Sequence, residues 1–257
     1  MGCWLVWGCT IVPSSRCKVI LAQNLSFRYK GQNALALDSF SLDLYEREVL
    51  CVLGHNGAGK TTLLNLIYGT LRPRCGRALI NQEVIRSYRD IFYLDSRFAL
   101  NEDMSVADNI EFRIELLGGE ASGAAAQLEL FSLRGYENAP ENSLSSGLRQ
   151  RASLAAGFSV GPSLALLDEP TNAVDPETRL LLENLLRGRG LDRCSALVVV
   201  THDLDFAYSV ADRCVVMQDG KELAQRRPAE YPSSQDFQSE YLSLTSGRGP
   251  ANASHHN

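Results

Sequence analysis

Gly54-His55-Asn56-Gly57-Ala58-Gly59-Lys60-Thr61-Thr62 is the stretch from which the rest of the chain is read. Gly54, Gly59, Lys60 and Thr61 stand at the fixed positions of the pattern G-x-x-x-x-G-K-[ST]. Glycines at this spacing let successive backbone N–H groups close around a polyphosphate. A lysine there reaches the terminal phosphates, and the Thr61 hydroxyl can sit on a magnesium ion. The flanks agree. Val49-Leu50-Cys51-Val52-Leu53 is apolar throughout, as a buried strand is, and Leu63, Leu64, Leu66 and Ile67 follow at helical spacing before Gly69. Strand, glycine loop and helix form the setting this loop needs; a glycine-rich turn with an incidental lysine would leave that order unexplained.

Composition bounds the rest. The 257 residues suffice for one large domain or two small ones. Twenty-five basic against 30 acidic residues give a net charge of −5, which argues against a nucleic-acid partner. The seven cysteines have no C-x-x-C spacing, so neither a zinc site nor a disulfide framework is expected, and a reducing compartment fits. No stretch reaches the roughly 20 apolar residues needed to cross a bilayer. Residues 1–12 are apolar but short and lack a basic flank, a poor secretion signal.

Alternating apolar runs and helical patterns predict an α/β fold. Strands are expected over residues 19–29, 40–45 and 78–80, with helices over 105–117 (capped by Ser105 with Asp108), 124–133 and 148–158. The helices form a short insertion, about residues 95–160, inside the α/β domain. Residues 164–167 and 196–200 read as buried strands, the second central in a parallel sheet. Asp175-Pro176-Glu177 opens a further helix, and residues 213–224 form a hairpin around Asp219-Gly220. This divides the chain into an extension (1–18), one domain (19–225) and a polar tail (226–257), with disorder expected over 246–257.

Three further sites carry chemistry. The strand Leu164-Ala165-Leu166-Leu167 ends in Asp168-Glu169. Beside a phosphate loop, Asp168 is placed to hold magnesium and Glu169 to polarise an attacking water as general base. Leu144-Ser145-Ser146-Gly147 opens a helix whose free N–H groups suit a phosphate; alone it is an ordinary cap. His202 follows an apolar strand and Thr201. Alone it reads as structural; with Asp203 as a helix cap beside it, it also resembles a γ-phosphate sensor.

The order of these motifs, with Asp168-Glu169-Pro170-Thr171-Asn172-Ala173-Val174-Asp175 and Val200-Thr201-His202-Asp203, resembles the ATP-binding subunit of ABC-type transporters over residues 19–223. The resemblance implies a P-loop NTPase fold with a mostly parallel core sheet, an antiparallel β subdomain and a helical insertion. It also implies ATP and Mg2+ as cofactors, and a homodimer or heterodimer of nucleotide domains closing head to tail on two ATP molecules. Residues 54–62 would hold the phosphates, and Thr61 and Asp168 the metal. Glu169 and His202 would be catalytic. Ser145, Ser146 and Gly147 would contact nucleotide held by the partner copy, and Ala173, Val174 and Asp175 would lie along the dimer seam. Tyr29 matches the aromatic that stacks on adenine, although as a bare feature it is a strand residue. A separate membrane-spanning subunit would be the partner, which puts this chain on the cytoplasmic face of a membrane, or on an organellar one in a eukaryote.

Some positions depart from that pattern. The signature glutamine is Leu148, and the usual Gly-Glu before the loop strand is Arg47-Glu48. The glutamine that closes the strand before the insertion is missing; Ser96 or Arg97 takes its place. An arginine has no lone pair for a cation, and a serine binds one weakly. The run from Ser145 to Arg151 is closer to exporter-type ATPases than to nutrient importers, and the spacing over residues 93–110 is similar to the haem-exporter ATPase of cytochrome c maturation. Two other functions stay open: a soluble ATPase that remodels a complex such as a ribosome, and an ATP-binding regulator with little turnover.

Overall fold

The structure, a computed structural model, describes residues 17–95, 100–119, 123–188 and 194–246. In chain order these form β1 (Lys18–Phe27), β2 (Leu37–Tyr45), β3 (Val49–Leu53), α1 (Lys60–Tyr68), β4 (Cys75–Ile80), β5 (Ile91–Leu94), α2 (Val106–Leu116), α3 (Ala124–Leu130) and α4 (Ser146–Phe158). They continue with β6 (Leu164–Asp168), α5 (Pro176–Arg187), β7 (Ala196–Thr201), α6 (Leu204–Val210), β8 (Arg213–Gln218), β9 (Lys221–Arg226) and α7 (Ser234–Thr245). The main sheet runs β5-β6-β7-β3-β8-β9 and is parallel except at β9, which pairs antiparallel with β8. A smaller antiparallel sheet has the order β2-β1-β4.

The continuous apolar runs of β3 and β7 are explained by their places in the main sheet, where helices or the second sheet cover both faces. Alternate side chains of β3 go to opposite faces. Cys51 and Leu53 join one core with Phe92, Phe158 and the apolar side of α2 and α4; Leu50 and Val52 join the other with Phe40 and Leu63. Buried Glu48 and half-buried Arg213 bind the sheets together. The Arg213 guanidinium grips the Glu48 carboxylate at 2.7 and 3.2 Å and donates to the Asp43 carbonyl of β2 at 2.6 Å. Such a pair is held by its fork geometry, and losing either member would strand a buried charge.

The insertion closes on the main sheet through a close approach at Gly157. A Cβ there would stand 2.1 Å from the Phe92 ring, which is itself buried and edge-on to Phe158 at 5.1 Å. Gly157→Ala is therefore expected to destabilise the domain by about 1–3 kcal/mol through overpacking. Thermal unfolding followed by circular dichroism should place its midpoint about 2–12 °C below that of the parent. An unchanged midpoint would mean that the ring has room to move.

Several boundaries differ from the sequence expectations. β1 ends at Phe27, so Tyr29 lies just outside a strand rather than in one. α3 stops at Leu130, because Ser132 turns to φ 53° two residues on. α4 begins at Ser146 with Ser145 as its cap, two residues before the expected start. The segment read as a polar tail contains α7, capped by Ser233 and anchored by buried Phe237 against Tyr208 and Tyr231. The proposed extension (apart from its last residues), the Ser96–Arg97 stretch and residues 247–257 lie outside the described residues.

Candidate functional site

Because β3, β6 and β7 are parallel neighbours, their carboxyl ends share one edge of the sheet, the edge where open α/β sheets bind ligands. The glycine loop leaves β3, Asp168 ends β6, and Thr201 ends β7 with His202 directly after it. Gly59 caps α1 at φ 103°, and a Cβ there would meet the Ala36 carbonyl oxygen at 2.3 Å, so only glycine fits. The loop is braced from within and from below. His55 Nδ1 lies 2.7 Å from the Asn56 carbonyl, buried Ala58 donates its N–H to the His55 carbonyl at 3.1 Å, and Gly220 of the β8–β9 turn donates to the Ala58 carbonyl at 2.9 Å.

Lys60 is buried, and its Nζ donates to the Gly54 carbonyl at 2.7 Å and the His55 carbonyl at 3.3 Å. It also lies 3.2 Å from Glu169 Oε1. Glu169 adopts φ 50°, tied by its N–H to the Val200 carbonyl at 2.9 Å. Its Oε2 meets His202 Nδ1 at 2.9 Å and the His202 amide at 3.3 Å. Oε1 is buried and takes no aligned hydrogen bond from the described residues. One carboxylate thus stands between the loop lysine and the histidine.

Thr61 lies beside Asp168, where its hydroxyl favours the charged carboxylate. Burial pushes the Asp168 carboxyl above its ordinary range, with Glu169 and Asp95 adding to that and Thr61 and Lys60 opposing it. These are hard oxygen donors. Among the described residues, no group of three or more His, Cys, Asp or Glu could hold a metal. A cation here would complete its shell with phosphate oxygens and water, as magnesium does.

The loop opens into a cavity of about 1150 Å³ lined by Tyr29, Asn56, Gly57, Lys60, Thr61 and Thr62. Tyr29 sits at its rim, with its hydroxyl 3.1 Å from Thr62 Oγ1 and its ring edge-on to Phe27. Sequence reasoning missed Leu223 of β9 and Leu244 and Thr245 of α7, which also line the cavity. No short-range pattern signals them; they arrive through the pairing of β8 with β9 and the docking of α7. Ser145, Ser146 and Gly147 do not line this cavity. Ser145 Oγ caps α4 by accepting from the Leu148 amide at 3.2 Å, and Ser146 Oγ donates to the Ala173 carbonyl at 2.9 Å.

A family model described as ABC transporter matches residues 37–172 of this chain. The chain belongs to the ABC transporter family. It is 36% identical over 198 residues to the sulfate/thiosulfate import ATP-binding protein CysA of Mesorhizobium japonicum, covering 72% of this chain and 57% of the relative. It is 35% identical over 210 residues to the ABC transporter ATP-binding protein MJ0412 of Methanocaldococcus jannaschii, covering 79% of each. In structure it matches an ATP-binding subunit of an ABC transporter with a TM-score of 0.76 at 22% identity, over 88% of this chain and 99% of the other, which speaks for the fold alone. It also matches the dimeric ATP-binding cassette MJ0796 bound to ADP and Pi, with a TM-score of 0.68 at 27% identity, over 81% and 98%. The chain spans between about a third and somewhat over half of the length of several of the curated relatives it matches. The sulfate/thiosulfate relative, and another relative named for methionine, are named for import. No helix among the described residues is long and apolar enough to cross a membrane.

Proposed function

We propose that this chain binds and hydrolyses ATP to power transport across a membrane, with the pore supplied by a separate membrane-spanning protein. The observation that carries the reading is the Lys60–Glu169–His202 constellation at the carboxyl ends of β3, β6 and β7. In this reading the amides of residues 54–62 and Lys60 take the phosphates, and Tyr29 borders the adenine. Glu169 Oε1, buried and without an aligned donor, accepts the proton of the water that attacks the γ-phosphorus; ADP leaves with the bridging oxygen. His202, fixed through Nδ1 on Glu169, leaves Nε2 for the γ-phosphate. Magnesium, held by Thr61 and Asp168, would neutralise charge on the phosphate oxygens. Ser145 and Gly147, at the positive end of the 13-residue α4, would meet the γ-phosphate bound by a second copy, closing two sites head to tail.

The likeness to a cassette solved as a dimer supports that last step. The chain would then sit peripherally, on the cytoplasmic face of its membrane. The test is purification from native membranes under mild detergent. The expected result is ATPase activity that co-purifies with a multi-spanning membrane protein. Recovery with ribosomes and not with membranes would replace transport by remodelling of a soluble complex.

A further inference from the structure

Arg151 is buried in the second turn of α4, and its charge needs partners there. It finds them all near the start of α5. Its Nε donates to Thr178 Oγ1 at 2.7 Å, and its terminal nitrogens approach Glu177 Oε1 at 3.3 Å and Asp175 Oδ1 at 3.6 Å. Thr178 is fully buried and passes the contact on: its hydroxyl donates to Asp175 Oδ2 at 2.9 Å and its amide to Asp175 Oδ1 at 2.8 Å. Asp175 in turn lies directly on Gly147, where a Cβ would stand 1.9 Å from Oδ2. Two more bonds run alongside, from Ser146 Oγ to the Ala173 carbonyl at 2.9 Å and from Gln150 Nε2 to the Pro170 carbonyl at 3.0 Å.

The first turns of α4 and the segment from Pro170 to Thr178 are therefore one hydrogen-bonded body with a guanidinium at its hub. None of the residues of that body lines the cavity around Lys60 in its own copy. An apolar side chain could fill the space beside Thr178 without the cost of burying a charge. What the planar fork adds is orientation: several partners are held at once in fixed directions.

We propose that Arg151 is a positioning residue acting in trans. Through Thr178 and Asp175 it locks Ser145–Gly147 and Ala173–Asp175 into a single rigid face, which is presented to the nucleotide of the second copy. This rests on the head-to-tail reading above.

The experiment uses the full chain carrying Glu169→Gln, a background in which ATP should hold two copies together. Arg151→Met, Arg151→Lys and Thr178→Val are added singly, and fluorescent ATP-analogue titration of dilute protein is compared with ATP-dependent dimerisation by analytical ultracentrifugation. Arg151→Met and Thr178→Val are expected to keep nucleotide affinity within about twofold, while dimerisation requires about tenfold more protein. Arg151→Lys, with charge but no fork, should recover only part of the loss. Dimerisation at the parental concentration in the folded variants overturns the proposal. So does parallel loss of nucleotide affinity, which would make Arg151 a structural residue of the whole domain. If the Glu169→Gln parent itself stays monomeric with ATP, the head-to-tail reading fails first and takes this inference with it. Should Arg151→Met not fold, Thr178→Val, which removes one hydroxyl from the same network, decides between these outcomes.

Discussion

Glu169→Gln is expected to lower steady-state ATP turnover by about a hundredfold or more while leaving ATP binding intact, and to accumulate an ATP-bound dimer. The substitution preserves size and hydrogen-bonding length, so the contact with His202, 2.9 Å in the parent, has a substitute partner. It removes the proton acceptor. It also removes a competitor: Glu169 Oε1 lies 3.2 Å from Lys60 Nζ, and a neutral amide releases that cation to the phosphates. Affinity should therefore hold or improve, the opposite of what a general loss of structure would produce. Phosphate release measured with purified protein, alongside size-exclusion chromatography with and without ATP, reads both effects. Turnover at the parental rate would remove Glu169 as the base.

The parts of this site that were legible in the sequence are those whose chemistry demands a residue type at a fixed spacing. The glycine loop is such a case, since Gly59 at φ 103° has no substitute and Lys60 and Thr61 must follow it directly. The central strands were legible for a different reason: two covered faces leave β3, and β7 up to its last residue Thr201, no polar positions. Caps such as Ser105 and Asp175 announced helix starts because their side chains replace missing intrahelical bonds. Helix α7 was missed because a single deeply buried side chain, Phe237, anchors it, and its other apolar residues are partly or fully open to solvent. Its signal was nevertheless there: Ser233 accepts from the Asp236 amide in the usual capping geometry. Pairings across 27 residues, as between Arg151 and Thr178, or 165, as between Glu48 and Arg213, leave no local pattern at all. Those contacts fix how the site's pieces are oriented, and only the folded chain reveals them.

Lys60→Ala should have the largest effect on binding. In the structure Lys60 Nζ is satisfied by two loop carbonyls, Gly54 and His55, and by the Glu169 carboxylate. None of these is a net loss when a triphosphate enters, because the ammonium can turn to the terminal phosphate oxygens while its stem stays packed under the loop. Each charge-assisted hydrogen bond is worth about 1.5–3 kcal/mol. Losing two of them should weaken ATP binding by about a hundredfold or more, and hydrolysis with it. The fold should tolerate the change, because truncation removes the buried charge itself and Glu169, with 20% of its side chain exposed, can take water in exchange. The two consequences separate in one thermal-shift experiment. Without nucleotide, variant and parent should melt close together. With ATP and magnesium, ligand linkage should raise the parent's midpoint and leave the variant's where it was. An equal rise in both would mean that the cavity holds ATP without Lys60, and the phosphate assignment of the loop would have to be given up.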